Sequence, residues 1–271
     1  MTTVVLEKIW KEYGDQIVLE NIDITIESGS FVALVGPSGC GKTTLLKMLL
    51  GEERPTSGRI LLDGIPLKAE PDWDRGVVFQ RYSVFPHLTV LGNVLVGREF
   101  EQSRFWGRLF GTKREAAIED ARALLKSVGL SEHESKYPAA LSGGMQQRLA
   151  LAQALMRKPK VLLLDEPFGA LDPGIRAEVH ALMNELWAAQ GITVVMVTHD
   201  LSEAFRLGTR VIALERRRNR PEEKERYGAT IAHDIAVWPP KKQKAVNGSA
   251  VATPAPATPA LVPADISAAV H

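Results

Sequence analysis

The sequence predicts an α/β fold: a mostly parallel core sheet, an antiparallel β element at its N-terminal end, and a helical subdomain set into the chain. Three observations predict it. Apolar runs at Phe31–Val35, 76–80, Val161–Asp165 and 193–198 are nearly continuous and end in polar residues, as strands buried on both faces require. A glycine-rich loop, residues 36–43, joins the first of these runs directly to a helix-like stretch at 44–50. Between 81 and 159 the strand signal fades and helical patterns take over at 113–128 and 142–156.

In chain order, Val4–Tyr13 and 18–27 read as β segments with partial alternation, parted by a Gly14-Asp15 turn. The buried strands follow. After Val161–Asp165, Ile175, Val179, Leu182 and Leu186 recur at helical spacing, with Asp172 and Pro173 as a start signal and Gly191 as a stop. The mixed charge run 215–226 reads as a solvated loop between strands rather than a nucleic-acid patch, and 229–237 as a closing strand. From Pro239 the composition falls into Ala, Pro, Thr, Lys and Val without periodicity, so a disordered tail is expected over 241–271. No internal repeat is visible.

Bulk properties narrow the function classes. Apolar residues make up 45% and charged residues 24%, with a formal net charge of +1, which gives no general attraction to nucleic acid or anionic lipid. The apolar runs are strand-sized, and the first residues lack a basic-then-apolar leader, so a cytosolic chain without a membrane span is expected. The single cysteine, Cys40, excludes an internal disulfide and a cysteine-based zinc site.

The loop Gly36-Pro37-Ser38-Gly39-Cys40-Gly41-Lys42-Thr43, followed by Thr44, reads as a phosphate cradle. Its glycines let backbone N–H groups turn inward, the helix start adds a positive dipole end, Lys42 reaches the β- and γ-phosphates, and Thr43 is a ligand for Mg²⁺. Cys40 takes a variable loop position, as a small packing residue whose thiol lies near phosphate without chemical duty. Asp165 ends an apolar strand, which puts its carboxylate beside the phosphates as a second metal ligand. Glu166 follows at once. Alternation along a strand would send it to the other side, toward the water that attacks the γ-phosphate.

A second motif, Leu141-Ser142-Gly143-Gly144-Met145-Gln146-Gln147, precedes that strand. Ser142 suits a helix cap, and Gly143 and Gly144 admit phosphate close to the helix end. Two glycines in a first helical turn cost roughly 1 kcal/mol each against alanine, which a simple cap would not need.

Taken together, these ordered motifs resemble the nucleotide-binding subunit of an ATP-binding cassette (ABC) transporter, over about residues 4–240. The resemblance implies a P-loop NTPase cassette over 1–240, with its helical subdomain at about 81–159, that hydrolyses ATP with Mg²⁺. It implies that His199 contacts the γ-phosphate, and that Gln80 touches the metal or attacking water while linking the two lobes. Tyr13 is similar to the aromatic residue that stacks on adenine, a core tyrosine being the other reading. Segment 141–147 would close over ATP held by the P-loop of a second cassette, most simply in a homodimer. Asp172 looks like the loop that crosses the dimer interface, or is only a helix cap.

The same resemblance implies separate integral membrane permease subunits, an extracytoplasmic solute-binding protein met indirectly, and a place at the cytoplasmic face of the membrane. A soluble cassette ATPase is the alternative, disfavoured because neither a duplicated cassette nor a long coiled coil is present. The run Asp74 to Gln80 and the closing strand are similar to the nitrate, sulfonate and taurine branch. The aromatic stretch 98–112, with Phe100, Phe105, Trp106 and Phe110, is closer to phosphonate-type importers; it either helps shape a groove for a permease helix or simply packs the subdomain.

Overall fold

The computed structural model describes residues 2–68, 70–79, 84–102, 111–216 and 226–237, without the side chains of 100–102. The expectations for Gln80, for the aromatic side chains of Phe100, Phe105, Trp106 and Phe110, for most of the charge run, and for the tail fall outside these residues. The elements in order are β1 (Val4–Tyr13), β2 (Gln16–Ile26), β3 (Phe31–Val35), α1 (Lys42–Leu50), β4 (Ser57–Leu62), β5 (Ile65–Pro66) and β6 (Arg75–Val78). There follow α2 (Val90–Gln102), α3 (Thr112–Ser127), α4 (Gly143–Leu155), β7 (Val161–Asp165), α5 (Pro173–Gln190), β8 (Thr193–Val197), α6 (Leu201–Leu207), β9 (Arg210–Arg216) and β10 (Ala229–Ala236).

Among the described residues the strands form one sheet in the order β5-β4-β1-β2-β10-β9-β3-β8-β7-β6. The block β9-β3-β8-β7-β6 is parallel throughout, whereas β5, β4, β1 and β2 pair antiparallel. β10 joins the two, antiparallel to β9 and touching β2 in parallel at Ala229 and Leu19.

The continuous apolar runs have a direct cause. Phe31, Ala33 and Val35 of β3 point into a cluster with the helices, while Val32 and Leu34 point into a second cluster shared with α1 and the N-terminal strands. β7 and β8 divide in the same way, so every residue of β3 and β8 is buried. The first cluster runs unbroken from β3, β7 and β8 into α2, α3 and α4, so the helical segment shares the sheet's core.

The sequence reading placed no helix at α2 and no hairpin at β4 and β5. α2 contains Gly92 and Gly97, poor helix formers, and is set by tertiary contacts instead. The amides of Val90 and Leu91 donate to the carbonyls of Lys136 and Glu134, and buried Asn93 binds the carbonyls of Phe85, Leu88 and Thr89. In the N-terminal element, Lys8 and Asn21 take positive φ where the β1–β2 register shifts, the mark of bulges that bend this edge.

The parallel block fixes where chemistry can occur. The C-terminal ends of β3, β6, β7 and β8 lie along one edge of the sheet, and the loops carrying Lys42, Glu166 and His199 leave from it.

Candidate functional site

The glycine-rich loop is shaped by contacts that only glycine allows. Gly36 has φ 149°, and a Cβ there would sit 2.2 Å from the Leu214 carbonyl oxygen; at Gly41, φ 101°, it would meet Leu19 at 2.8 Å. The left-handed turn at Gly41 starts α1 with no side-chain cap, so the first amides of the helix are left for an anion. Lys42 is 6% exposed and donates to the carbonyl oxygens of Gly36 (2.7 Å) and Pro37 (3.0 Å). The ammonium is thus held inside the loop, ready to exchange carbonyl oxygens for phosphate oxygens.

Cys40 is 3% exposed, packed with Leu45, Leu46 and Leu214 beneath the loop, and burial pushes its thiol pKa up. This fits the packing role expected of Cys40, with its thiol turned into the core beneath the loop. A maleimide or iodoacetamide is therefore expected to label native Cys40 only at the rate of local unfolding, and promptly in denaturant. Rapid stoichiometric labelling of the folded chain, followed by mass spectrometry, would contradict that burial.

Across the sheet edge, Thr43 Oγ1 lies 3.4 Å from Asp165 Oδ1, joining the α1 start to the end of β7. Burial first, and then the neighbouring Glu166 charge, raise the Asp165 pKa, with the Thr43 hydrogen bond and the Lys42 and Lys47 charges opposing. The Thr43 hydroxyl and the Asp165 carboxylate, whose charge is disfavoured by burial and by Glu166, are hard oxygen donors that fit a divalent cation such as Mg²⁺. No cluster of three or more His, Cys, Asp or Glu residues forms a metal site among the described residues, so a cation here would need phosphate or water to complete its shell.

Glu166 departs from the strand alternation expected of it. β7 ends at Asp165, and Glu166 turns into the left-handed region at φ 45°, its amide bonded to the Val197 carbonyl at 2.9 Å. For a non-glycine residue this turn costs on the order of 1–3 kcal/mol, a strain of the kind found where a side chain is aimed for use. Its carboxylate lies 3.4 Å from Nδ1 of His199, which is mostly exposed at the end of β8. The structure therefore brings Lys42, Thr43, Asp165, Glu166 and His199 to one edge.

Tyr13 is 47% exposed and is not a core residue. Its hydroxyl donates to the Glu53 carboxylate, and the Lys11 ammonium sits 4.6 Å from its ring centroid. Burial, followed by the hydrogen bond and charge of Glu53, raises the phenol pKa, while a hydrogen bond with Thr44 opposes, which places the ring beside the start of α1. Sequence reading missed Lys11, two residues before Tyr13, and Glu53, which lies forty positions on and leaves no local pattern.

The second motif lies apart. Ser142 caps α4, its Oγ accepting from the Met145 amide at 3.4 Å, and both Ser142 and Gly143 are exposed. Gln146 donates to the carbonyls of Pro138 and Leu141, tying the helix to the preceding turn, and Leu141 is 7% exposed. Gly144 needs a different account from the sequence reading. It is buried, and a Cβ would stand 2.3 Å from Ile175 Cγ2, so close packing of α4 on α5 explains this glycine. Gly144→Ala is expected to destabilise the chain by about 1–3 kcal/mol, seen as a lower denaturation midpoint; an unchanged midpoint would show that Ile175 yields freely. Asp172 is the N-cap position of α5 but its side chain makes no capping hydrogen bond and is exposed, leaving it free for a partner surface. Among the described residues, no hydrogen bond joins 141–146 to 36–44.

Comparison with known proteins gives a consistent picture. The ABC transporter family profile matches residues 19–169. The aliphatic sulfonates import ATP-binding protein SsuB of Pectobacterium atrosepticum is 45% identical over 214 residues, spanning 79% of this chain and 74% of that protein. The Fe(3+) ions import ATP-binding protein FbpC of Brucella abortus is 44% identical over 215 residues, 79% of this chain and 58% of that longer protein. Among solved structures, the dimeric MJ0796, a bacterial ABC transporter cassette, superposes with TM-score 0.69 at 32% identity over 86% of this chain and 98% of its own. A post-hydrolysis state of the same cassette, bound to ADP and Pi, superposes with TM-score 0.67 at 31% identity, over 86% of this chain and 98% of its own.

Proposed function

The chain belongs to the ABC transporter family and hydrolyses ATP to ADP and phosphate, and on that premise we propose that it is the ATPase subunit of an importer for a small sulfonate-like solute. The observation that carries this reading is the meeting of Thr43 with Asp165 at 3.4 Å and of Glu166 with His199 at 3.4 Å along the edge where the phosphate loop opens. The loop amides and Lys42 hold the phosphates, Tyr13 offers its ring to adenine, and Glu166 takes the proton of the attacking water. His199 steadies the γ-phosphate side of that site. Thr43 and Asp165 would hold Mg²⁺, which supplies charge for the phosphate oxygens, with Gln80 its third neighbour in the sequence expectation.

A second cassette completes the site. Exposed Ser142 and Gly143 at the uncrowded end of α4, with exposed Asp172, suit closure over nucleotide on a partner copy. No described helix is long and apolar enough to cross a membrane, which fits a subunit working through separate permease chains at the cytoplasmic face, with a solute-binding protein beyond them. A groove of about 320 Å³ between β6 and the helical segment suits a permease helix. Trp73, Phe79 and Phe85 line it, and the Arg157 guanidinium lies 4.6 Å from the Trp73 ring centroid. The importer relatives favour transport over a soluble cassette ATPase, and aliphatic sulfonate import subunits recur among them in several species.

The test is reconstitution. The chain, co-expressed with candidate sulfonate-importer permease chains, is expected to co-purify with one of them, and its ATPase activity in proteoliposomes is expected to rise with a sulfonate-loaded binding protein. Trp73→Arg should release the permease while leaving ATP binding intact. Stimulation by ferric ion instead of sulfonates would overturn the solute, and failure to associate with any permease would overturn the transporter.

A further inference from the structure

His180 and Glu203 are buried in the core, 5% and 4% exposed, where unpaired polar groups cost several kcal/mol. They pair through one ring nitrogen: His180 Nε2 lies 3.1 Å from Glu203 Oε1, while His180 Nδ1 is buried without a hydrogen-bond partner among the described residues. The other carboxylate oxygen accepts the Thr198 hydroxyl at 2.6 Å, and Thr198 Oγ1 in turn accepts the Asp200 amide at 3.1 Å. Both neighbours of His199 are therefore suspended from one buried pair.

A second tie runs alongside. Arg176, one turn before His180 on α5, reaches Asp200 at 3.5 Å and donates to the carbonyl of Leu171, the residue before Asp172, at 3.1 Å. Phe168, two residues after Glu166, sets its ring edge-to-face against His180, centroids 4.6 Å apart. One helix thus touches the three loops that carry Glu166, Asp172 and His199. His199 itself is mostly exposed, and among the described residues its side chain has Glu166 as its polar contact, so its neighbours set where it stands.

We infer that His180, Glu203 and Arg176 are positioning residues that hold His199 in register with Glu166 and make its position follow the loop at Asp172. This rests on the hydrolytic reading of Glu166 and His199. Breaking one link leaves a buried polar group unpaired, so the loop and α5 move together, and a displaced Asp172 loop displaces His199. None of the three needs to touch nucleotide.

The experiment compares ATP affinity and steady-state turnover for the full chain. His180→Ala is expected to lower kcat on the order of 10–100-fold, as a misplacement near 1 Å does, with ATP Kd changed less than about twofold. His180→Gln, which restores an N–H toward Glu203, is expected to recover most of that loss. Should His180→Ala fail to fold, Arg176→Ala carries the test from a partly exposed site in a cycle with His199→Ala. Because Arg176 acts through His199, the double variant is expected to be no slower than His199→Ala alone.

Additive losses, unchanged kcat in both single variants, equal loss in His180→Ala and His180→Gln, or a loss confined to Kd would each overturn the inference. The underlying reading has its own control. If the wild type and Glu166→Gln turn over alike, the hydrolytic assignment fails; if Glu166→Gln is inactive while the His180 and Arg176 variants behave as wild type, only the positioning network fails.

Discussion

Glu166→Gln is expected to lower ATP turnover by roughly 10²–10⁴-fold, the range for a removed general base, while nucleotide still binds. The substitution keeps the shape of the side chain and the left-handed turn at φ 45°, with its amide on Val197. It removes the charge that accepts a proton from water. It also leaves Lys42 and the loop amides untouched, so ATP affinity should stay within a few-fold of wild type and the nucleotide-bound dimer should accumulate. Phosphate release and size-exclusion chromatography with Mg²⁺ and ATP measure both. Lys42→Ala is the contrast: it removes the buried ammonium held by Gly36 and Pro37 and should lose nucleotide binding itself. Near-normal turnover in Glu166→Gln would remove that residue from the chemistry.

The parallel core was legible because its strands are buried on two faces, which leaves an unbroken apolar run for each. β3, β7 and β8 each send alternate residues into the two clusters, so both faces are lined almost entirely by apolar side chains. The phosphate loop was legible because strand, glycines and helix are contiguous. What escaped reading depends on residues distant in sequence. α2 is held by carbonyls some forty positions away, Tyr13 by Glu53, and His180 by Glu203. Local periodicity carries no sign of such partners. His180 in particular occupies a helical core position, where its neighbours Val179 and Met183 are apolar.

Two misreadings came from applying a sound rule in the wrong place. Strand alternation was carried one residue too far: Glu166 follows β7 and owes its direction to a left-handed turn. The glycines of the second motif were given a single purpose, yet Gly144 is buried against Ile175 and Gly143 is exposed at the helix start. Adjacent residues of one type can answer to packing and to ligand access separately, and only the burial distinguishes them.

That distinction sharpens the test of the shared site. Ser142→Arg is expected to abolish hydrolysis while sparing initial ATP binding, because it places a bulky cation at the exposed start of α4 and leaves the chain's own phosphate loop alone. Ser142→Ala is the control for the cap. It forfeits the 3.4 Å contact with the Met145 amide, at a cost of about 0.5–2 kcal/mol of stability, without blocking closure. Mixing Ser142→Arg with Lys42→Ala then probes the geometry. In an antiparallel pair one composite site combines intact Lys42 with intact Ser142, and the other carries both defects. ATP-dependent crosslinking between the phosphate-loop region of one chain and the Ser142 region of another is the decisive measurement, since recovery of turnover also requires that a single site suffice. A crosslink formed only within one chain, or normal hydrolysis by Ser142→Arg, would show that each chain completes its own site.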